Sequence, residues 1–133
     1  MAKTSKSAAH GRDVTYRIKR WSDIYENSRS RRLQRLDWVR MPVNLNGATF
    51  RRLMHRHQDA DSGMAIFGAF VATVELAATC DTRGTLIQTN GEPHDVETIA
   101  LQTGASEQLI AKMLKVLTAK PFCWIEEVGI EPG

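Results

Sequence analysis

The stretch that most restricts the fold is residues 95–121, where two amphipathic segments are separated by a turn of three residues, Gly104, Ala105 and Ser106. Asp95 stands before the first segment as an N-cap, and Val96, Ile99 and Ala100 share one face, with Leu101 beside it. Gly104 ends that helix, because glycine enters the left-handed conformation of a C-terminal cap without steric cost. Ser106 caps the second helix. Its Leu109, Ile110, Met113, Leu114 and Leu117 recur at helical spacing, and Pro121 stops it. Two short helices joined so tightly form a helix-turn-helix-like pair.

The flanking segments extend this pattern. Residues 64–80 are rich in apolar side chains, but Glu75 interrupts them, and a bilayer needs about 20 apolar residues. They predict a central core helix, with Ile66, Phe67, Phe70, Val71, Val74 and Ala78 on its broad face. Gly68, Ala69, Ala72 and Ala77 are small enough to let another helix approach closely. Thr85 to Gln88 reads as a very short strand between glycine turns, and residues 122–128 as a final strand or the start of a wing. Upstream, Thr49 is the expected cap of a helix reaching His57, with a turn at 44–47 and a loop at 58–63. The order helix, long helix, short strand, helix, turn, helix, strand predicts a mainly α chain with a small β-sheet, an α+β winged helix-turn-helix. The expected organisation is a disordered tail over 1–15, a basic aromatic-containing segment over 16–48, and a winged-helix domain over 49–129.

Charge is distributed unevenly. Residues 1–57 hold 14 Lys/Arg against 4 Asp/Glu, a net of +10, and residues 58–133 hold 4 against 11, a net of −7. A basic segment attracts polyanions by releasing their counterions. Within residues 17–40, Trp21, Ile24 and Tyr25, then Leu33 and Leu36, suit one or two short helical turns, with arginines clustered between them. The aromatic residues Trp21, Tyr25 and Trp38 can stack on bases, or pack this segment on the core; Trp124 reads as core.

Several chemistries lack their motifs. There is no G-x-x-x-x-G-K-[ST] phosphate loop and no H-E-x-x-H zinc helix. Cys80 and Cys123 are the only cysteines, each in an apolar run, and read as buried thiols. The histidines 10, 55, 57 and 94 come with no Cys-x-x-Cys, and Asp59 and Asp61 read as ordinary loop acids. The chain is therefore expected to be non-enzymatic, without cofactor or metal. The N-terminus has no apolar signal region, which makes the cytoplasm the default location.

Three stretches together resemble a known family: WSDIYENSRSRRLQRLDWVRMP from Trp21, the alanine-rich helix, and CDTRGTLIQTNGEPHDVETIALQTGASEQLIAKMLKVLTAKPFCWIEE from Cys80. They are similar to the N-terminal winged-helix region of phage-type, replisome-organiser-like replication proteins and to related bacterial and prophage proteins. The points of likeness are Arg83, Gly84 and Leu86 at the first strand, and Ile99, Ala100, Thr103 and Gly104 in the helix and turn. Trp124, Ile125 and Glu126 match in the last strand. The resemblance covers about residues 20–128, and implies a DNA-binding domain of replication or transcription.

Two surfaces can carry that activity. Arg29, Arg31, Arg32, Arg35 and Arg40, followed by Arg51, Arg52 and Arg56, are the candidate contacts to the DNA backbone, because guanidinium groups grip phosphates bidentately. If the second helix of the pair is a recognition helix, Gln108, Lys112 and Lys115 lie on its outward side, where glutamine reads adenine and lysine reads guanine or phosphate. That helix has no arginine, and the acids Glu92, Asp95, Glu97, Glu107, Glu126 and Glu127 around it repel DNA. The alternative is a non-catalytic interaction or oligomerisation module on the same scaffold, whose partner is a second copy or a replication protein. Neither reading involves a membrane.

Overall fold

The structure, a computed structural model, describes residues 14–41, 47–57 and 62–129. The residues expected as a tail over 1–13, most of the turn at 44–47, the loop acids Asp59 and Asp61, and His10 lie outside the described residues. The chain order is β1 (Val14–Ile18), α1 (Trp21–Ile24), α2 (Ser28–Arg31), α3 (Ala48–Arg56), α4 (Ser62–Thr79), α5 (Val96–Thr103), α6 (Glu107–Leu117) and β2 (Ile125–Gly129). About half of the described residues are helical, and the sheet is a two-stranded antiparallel pair, so the molecule is α+β.

The α5–α6 pair forms through local hydrogen bonds. Asp95 Oδ1 accepts from the Thr98 amide at 2.9 Å while the Asp95 amide donates to Thr98 Oγ1 at 2.9 Å, a reciprocal capping box. Gly104 closes α5 at φ 83°, and Ser106 Oγ accepts from the Leu109 amide at 3.0 Å to open α6. Ile110, Met113, Leu114 and Leu117 of α6 are buried against α4 and α5.

The central helix α4 is the element around which the rest is arranged: α3, α5, α6 and β1 all pack on it. It is the one helix among the described residues long and apolar enough to cross a membrane. Its Ile66, Ala69, Phe70, Thr73, Val74, Ala77 and Ala78 are buried inside the protein, which gives that apolarity a structural use. Gly63 sets the spacing of α3 and α4, whereas Gly68, expected to admit a neighbouring helix, has open space beside it. A Cβ on Gly63 would lie 3.0 Å from the Leu53 carbonyl oxygen and 3.1 Å from Met54 Cα, so the approach of α3 to α4 needs glycine there. α4 begins at Ser62, within the expected loop, and α3 is capped at Gly47 rather than Thr49.

The largest departure from expectation is at the N-terminal end. Val14 and Thr15, assigned above to the tail, and Tyr16 to Ile18, assigned to the basic segment, form β1. This strand pairs antiparallel with β2 in the register Val14 with Gly129 through Ile18 with Ile125. The final strand therefore finds its partner at the far end of the sequence, rather than in a wing hairpin. The other edge of β1 meets the segment after α4: the Ile18 amide donates to the Gly84 carbonyl at 2.7 Å, and the Leu86 amide to the Tyr16 carbonyl at 2.9 Å. The expected strand from Thr85 to Gln88 is reduced to isolated bridges, Arg17 with Thr85 and Ile87 with Pro93. A turn from Gln88 to Glu92, with Gly91 at φ 88°, carries the chain away from β1 beyond Leu86.

Ile18, Trp21 and Tyr25 join the same core as α4, α5 and α6, so the basic segment begins as part of the packed body. Trp38 does not follow them: it is 61% exposed, and Leu33, beyond the end of α2, is 47% exposed.

Candidate nucleic-acid interface

Five of the eight candidate arginines are carried on two short helices, Arg29 and Arg31 on α2 and Arg51, Arg52 and Arg56 on α3. α2 is only four residues long and needs side chains to define it. Asn27 Oδ1 accepts from the Ser30 amide at 2.7 Å, and Ser30 Oγ accepts from the Asn27 amide at 2.9 Å. Arg29 and Arg31 lie in this turn, Arg32 caps it, and Arg35 and Arg40 follow in irregular chain; all five are exposed. Arg31 Nη1 donates to the Ser22 carbonyl at 2.8 Å, and Arg40 Nη1 to the Glu26 carbonyl at 3.4 Å, both neutral acceptors. On α3, Phe50 and Leu53 face inward while Arg51, Arg52 and Arg56 are exposed. The Arg56 guanidinium lies 6.0 Å from the centre of the Phe122 ring.

What fixes α2 is a buried ion pair that the sequence alone does not reveal. Glu26 is 4% exposed, and its carboxylate accepts from the Trp21 indole nitrogen, from Ser30 Oγ at 3.2 Å, and from Arg83 Nε and Nη2 at 2.9 and 3.0 Å. Arg83 also donates to the carbonyl oxygens of Ser30 and Leu33, each at 3.0 Å. One guanidinium thus binds the carboxylate, the end of α2 and the chain just beyond it. Burial would push the Glu26 carboxyl up, but the hydrogen bonds from Arg83, Trp21 and Ser30, together with the Arg83 charge, outweigh burial and hold it below its ordinary value. Next to Arg83, Gly84 at φ 92° lies under the Trp21 ring, where an added Cβ would be 2.5 Å from Trp21 Cγ.

The pairing runs opposite to the simplest electrostatic expectation. The cation of this pair comes from the acidic half of the sequence and the anion from the basic half. Of the salt bridges found among the described residues, Arg17–Glu126 joins the two halves across β1 and β2, and Arg20–Asp23 is local. None of these three engages Arg29, Arg31, Arg32, Arg35, Arg40, Arg52 or Arg56. Between residues 27 and 56 the sole carboxylate is Asp37, against eight arginines.

The outward face of α6 is ordinary by comparison. Gln108, Lys112 and Lys115 are exposed on one side with Glu107 and Ala111. α3 packs on α4, whereas α6 packs on α4 and α5. No hydrogen bond or ion pair among the described residues joins the α6 side chains to the arginine segment. Leu101 on α5 is 77% exposed.

The remaining chemistry-bearing groups lie elsewhere. Cys80 and His94 line one cavity of about 360 Å³ together with Gln88, Asn90 and Gln102. Burial pushes the Cys80 thiol up and the His94 imidazole down, the reverse of the shifts that ready a thiolate for attack. His94 Nδ1 lies 2.9 Å from Thr98 Oγ1, which ties it to the cap of α5. Both cysteines are free thiols. Among the described residues no cluster of three or more His, Cys, Asp or Glu side chains is placed to hold a metal ion. No family model, curated protein or solved structure matches the chain.

Three exposed cationic side chains outside the candidate set, Arg17, Lys19 and Arg20, lie at and just beyond the end of β1. The signal that marks them is the run of β-formers Val14, Thr15, Tyr16 and Ile18, obscured by the charge around it.

Proposed function

We propose that this chain is a DNA-binding winged-helix protein of replication or transcription, holding the phosphate backbone mainly through Arg29, Arg31, Arg32, Arg35 and Arg40, with Arg51, Arg52 and Arg56. The observation that carries this reading is the inward orientation of Glu26. Its carboxylate is consumed by Arg83, Trp21 and Ser30, so it cannot neutralise the arginines of α2. Exposed guanidinium groups are what a polyphosphate recruits, at little desolvation cost.

The winged-helix reading draws on the order α4, the 84–86 segment, α5, α6 and β2. In that arrangement a returning strand beside β2 would complete the wing. Here β1 occupies the returning strand's place, between β2 and residues 84–86. The proposed consequence is a short, stiff edge in place of a wing loop, with backbone contacts left to the arginine segment. Sequence readout by Gln108, Lys112 and Lys115 is a smaller part of this proposal.

The test is anisotropy of labelled duplex and single-stranded DNA of mixed sequence against salt. The logarithm of the affinity should fall against the logarithm of salt concentration with a slope of about −0.9 per phosphate contact on duplex. Combined reversal of Arg29, Arg32 and Arg35 to Glu should flatten that slope by about 3. Absence of binding at low salt would sink the proposal.

A second reading has its own support. Trp38 and Leu33 are large, apolar and exposed beside the arginines, and Leu101 is exposed on the helix pair. These suit an interaction or oligomerisation module on the same scaffold, engaging a second copy or a replication-protein partner. It requires a concentration-dependent mass in sedimentation that Trp38→Ser lowers.

A further inference from the structure

Apart from the arginine segment, one cavity of about 340 Å³ combines aromatic walls with cationic side chains. Tyr25, Phe70, Phe122 and Trp124 form its sides, and Lys19 and Arg20 stand at it as exposed cationic side chains. The rings are set at different angles: Trp124 is tilted 50° to Phe70 with centres 5.2 Å apart, and stands at 78° to Phe122 at 5.9 Å. Phe70, Phe122 and Tyr25 are themselves buried, which fixes the walls, while Trp124 is only half-buried and retains accessible surface. None of the lining residues is a carboxylate. Asp23 meets Arg20 at 3.6 Å in a solvent-exposed pair, which compensates its charge only weakly.

The backbone at this cavity is unusual in the same place. Arg20 has φ 55° and Cys123 has φ 50°, the only two non-glycine residues with positive φ among those described, and both line the cavity. Each turns the chain at a strand end: Arg20 between β1 and α1, Cys123 ahead of β2. Glycine takes such positions without strain, and bulky residues kept there point to a use for the side chain or for the shape it imposes. A hydrogen bond from the Lys19 amide to the Trp124 carbonyl, at 3.0 Å, joins the two turns and holds the cationic rim against the aromatic wall.

We propose that this cavity binds a nucleotide unit, with the aromatic base against Trp124 and the edges of Tyr25, Phe70 and Phe122, and the phosphate at Lys19 and Arg20. Stacking and cation–phosphate contact together are the chemistry by which proteins hold unpaired nucleotides. The cavity lies at the small end of the roughly 300–1,000 Å³ typical of small-ligand sites, room for one unit and not for a stacked pair. Two sources supply that chemistry, a free nucleotide or an unpaired residue of a strand.

The experiment is a titration of the whole chain with adenosine 5′-monophosphate, adenosine and inorganic phosphate, followed by tryptophan fluorescence and calorimetry. The monophosphate should bind saturably and quench emission, with adenosine and phosphate alone each weaker by roughly ten-fold or more. Arg20→Gly should weaken the monophosphate by a similar factor while leaving the circular dichroism and melting cooperativity intact, since glycine suits the left-handed turn. Trp124→Phe should remove most of the quenching. A 5′-phosphorylated oligothymidylate displaced by the monophosphate identifies a strand as the source, whereas monophosphate binding without oligonucleotide competition identifies the free nucleotide. Lack of saturable monophosphate binding, or equal binding by Arg20→Gly, overturns the proposal. Duplex binding in the anisotropy assay is scored separately, so either reading can fail while the other stands.

Discussion

Replacing Glu26 by Gln tests whether the buried ion pair organises the arginine segment. The substitution keeps the shape and removes the charge. Four donors converge on this carboxylate: the Trp21 indole, Ser30 Oγ, and Arg83 Nε and Nη2. A glutamine offers one acceptor oxygen and turns an amide NH2 toward donors that it cannot satisfy. Arg83, whose side chain is 14% exposed, then keeps its charge without a counterion. Removing one partner of a buried pair costs about 3–5 kcal/mol. Arg83 retains the Ser30 and Leu33 carbonyl oxygens, so the expected loss is at the lower end, about 3 kcal/mol. With a urea m-value of about 1.5–2 kcal/mol/M, the unfolding midpoint should fall by about 1.5–2 M. Arg83→Met completes a double-mutant cycle, with a coupling of at least about 1 kcal/mol expected between the two positions. A loss below about 1 kcal/mol for Glu26→Gln, or simple additivity with Arg83→Met, would refute the reasoning. The same variant should weaken DNA binding, because α2 is displayed by this pair.

Three further outcomes follow from the same geometry. Gly84→Ala combines a left-handed backbone with a Cβ 2.5 Å from Trp21 Cγ, and should cost about 3 kcal/mol, lowering the melting temperature by about 10 °C; an unchanged melt contradicts the packing described. His94 is held below its ordinary value of 6.5 by burial, partly offset by Asp95, so stability is present above pH 6.5 and declines as pH falls below it toward the lowered value. The urea midpoint should therefore drop between neutral pH and mild acid, and His94→Gln should reduce that dependence. Glu26, also lowered, adds a separate loss as pH falls below its ordinary 4.5 and through its folded value. Lys112→Glu with Lys115→Glu should weaken DNA binding much less than reversal of the α2 arginines; a larger effect would transfer the principal contact to α6.

Structure that forms between near neighbours is legible in the sequence alone. The caps at Asp95 and Ser106, the stop at Gly104 and the buried stripe of α6 are all readable, because each hydrogen bond or apolar repeat spans three or four residues. The exposure of the candidate arginines is legible for the same reason: α3 buries its Phe50 and Leu53 stripe and turns the charged positions outward. Three features needed the folded chain. β1 takes its partner from residues 125–129, and a strand whose hydrogen bonds are supplied from so far away leaves only a faint mark on its own sequence. Glu26 and Arg83 are 57 residues apart, and nothing in the charge of either half assigns the acid to a basic segment's interior. Arg20 becomes a pocket residue only because β1 ends beside the turn before β2, a juxtaposition set by strand register. The helix-turn-helix-like pair is thus written locally, while the surface that displays the cations is decided by contacts between distant parts of the chain.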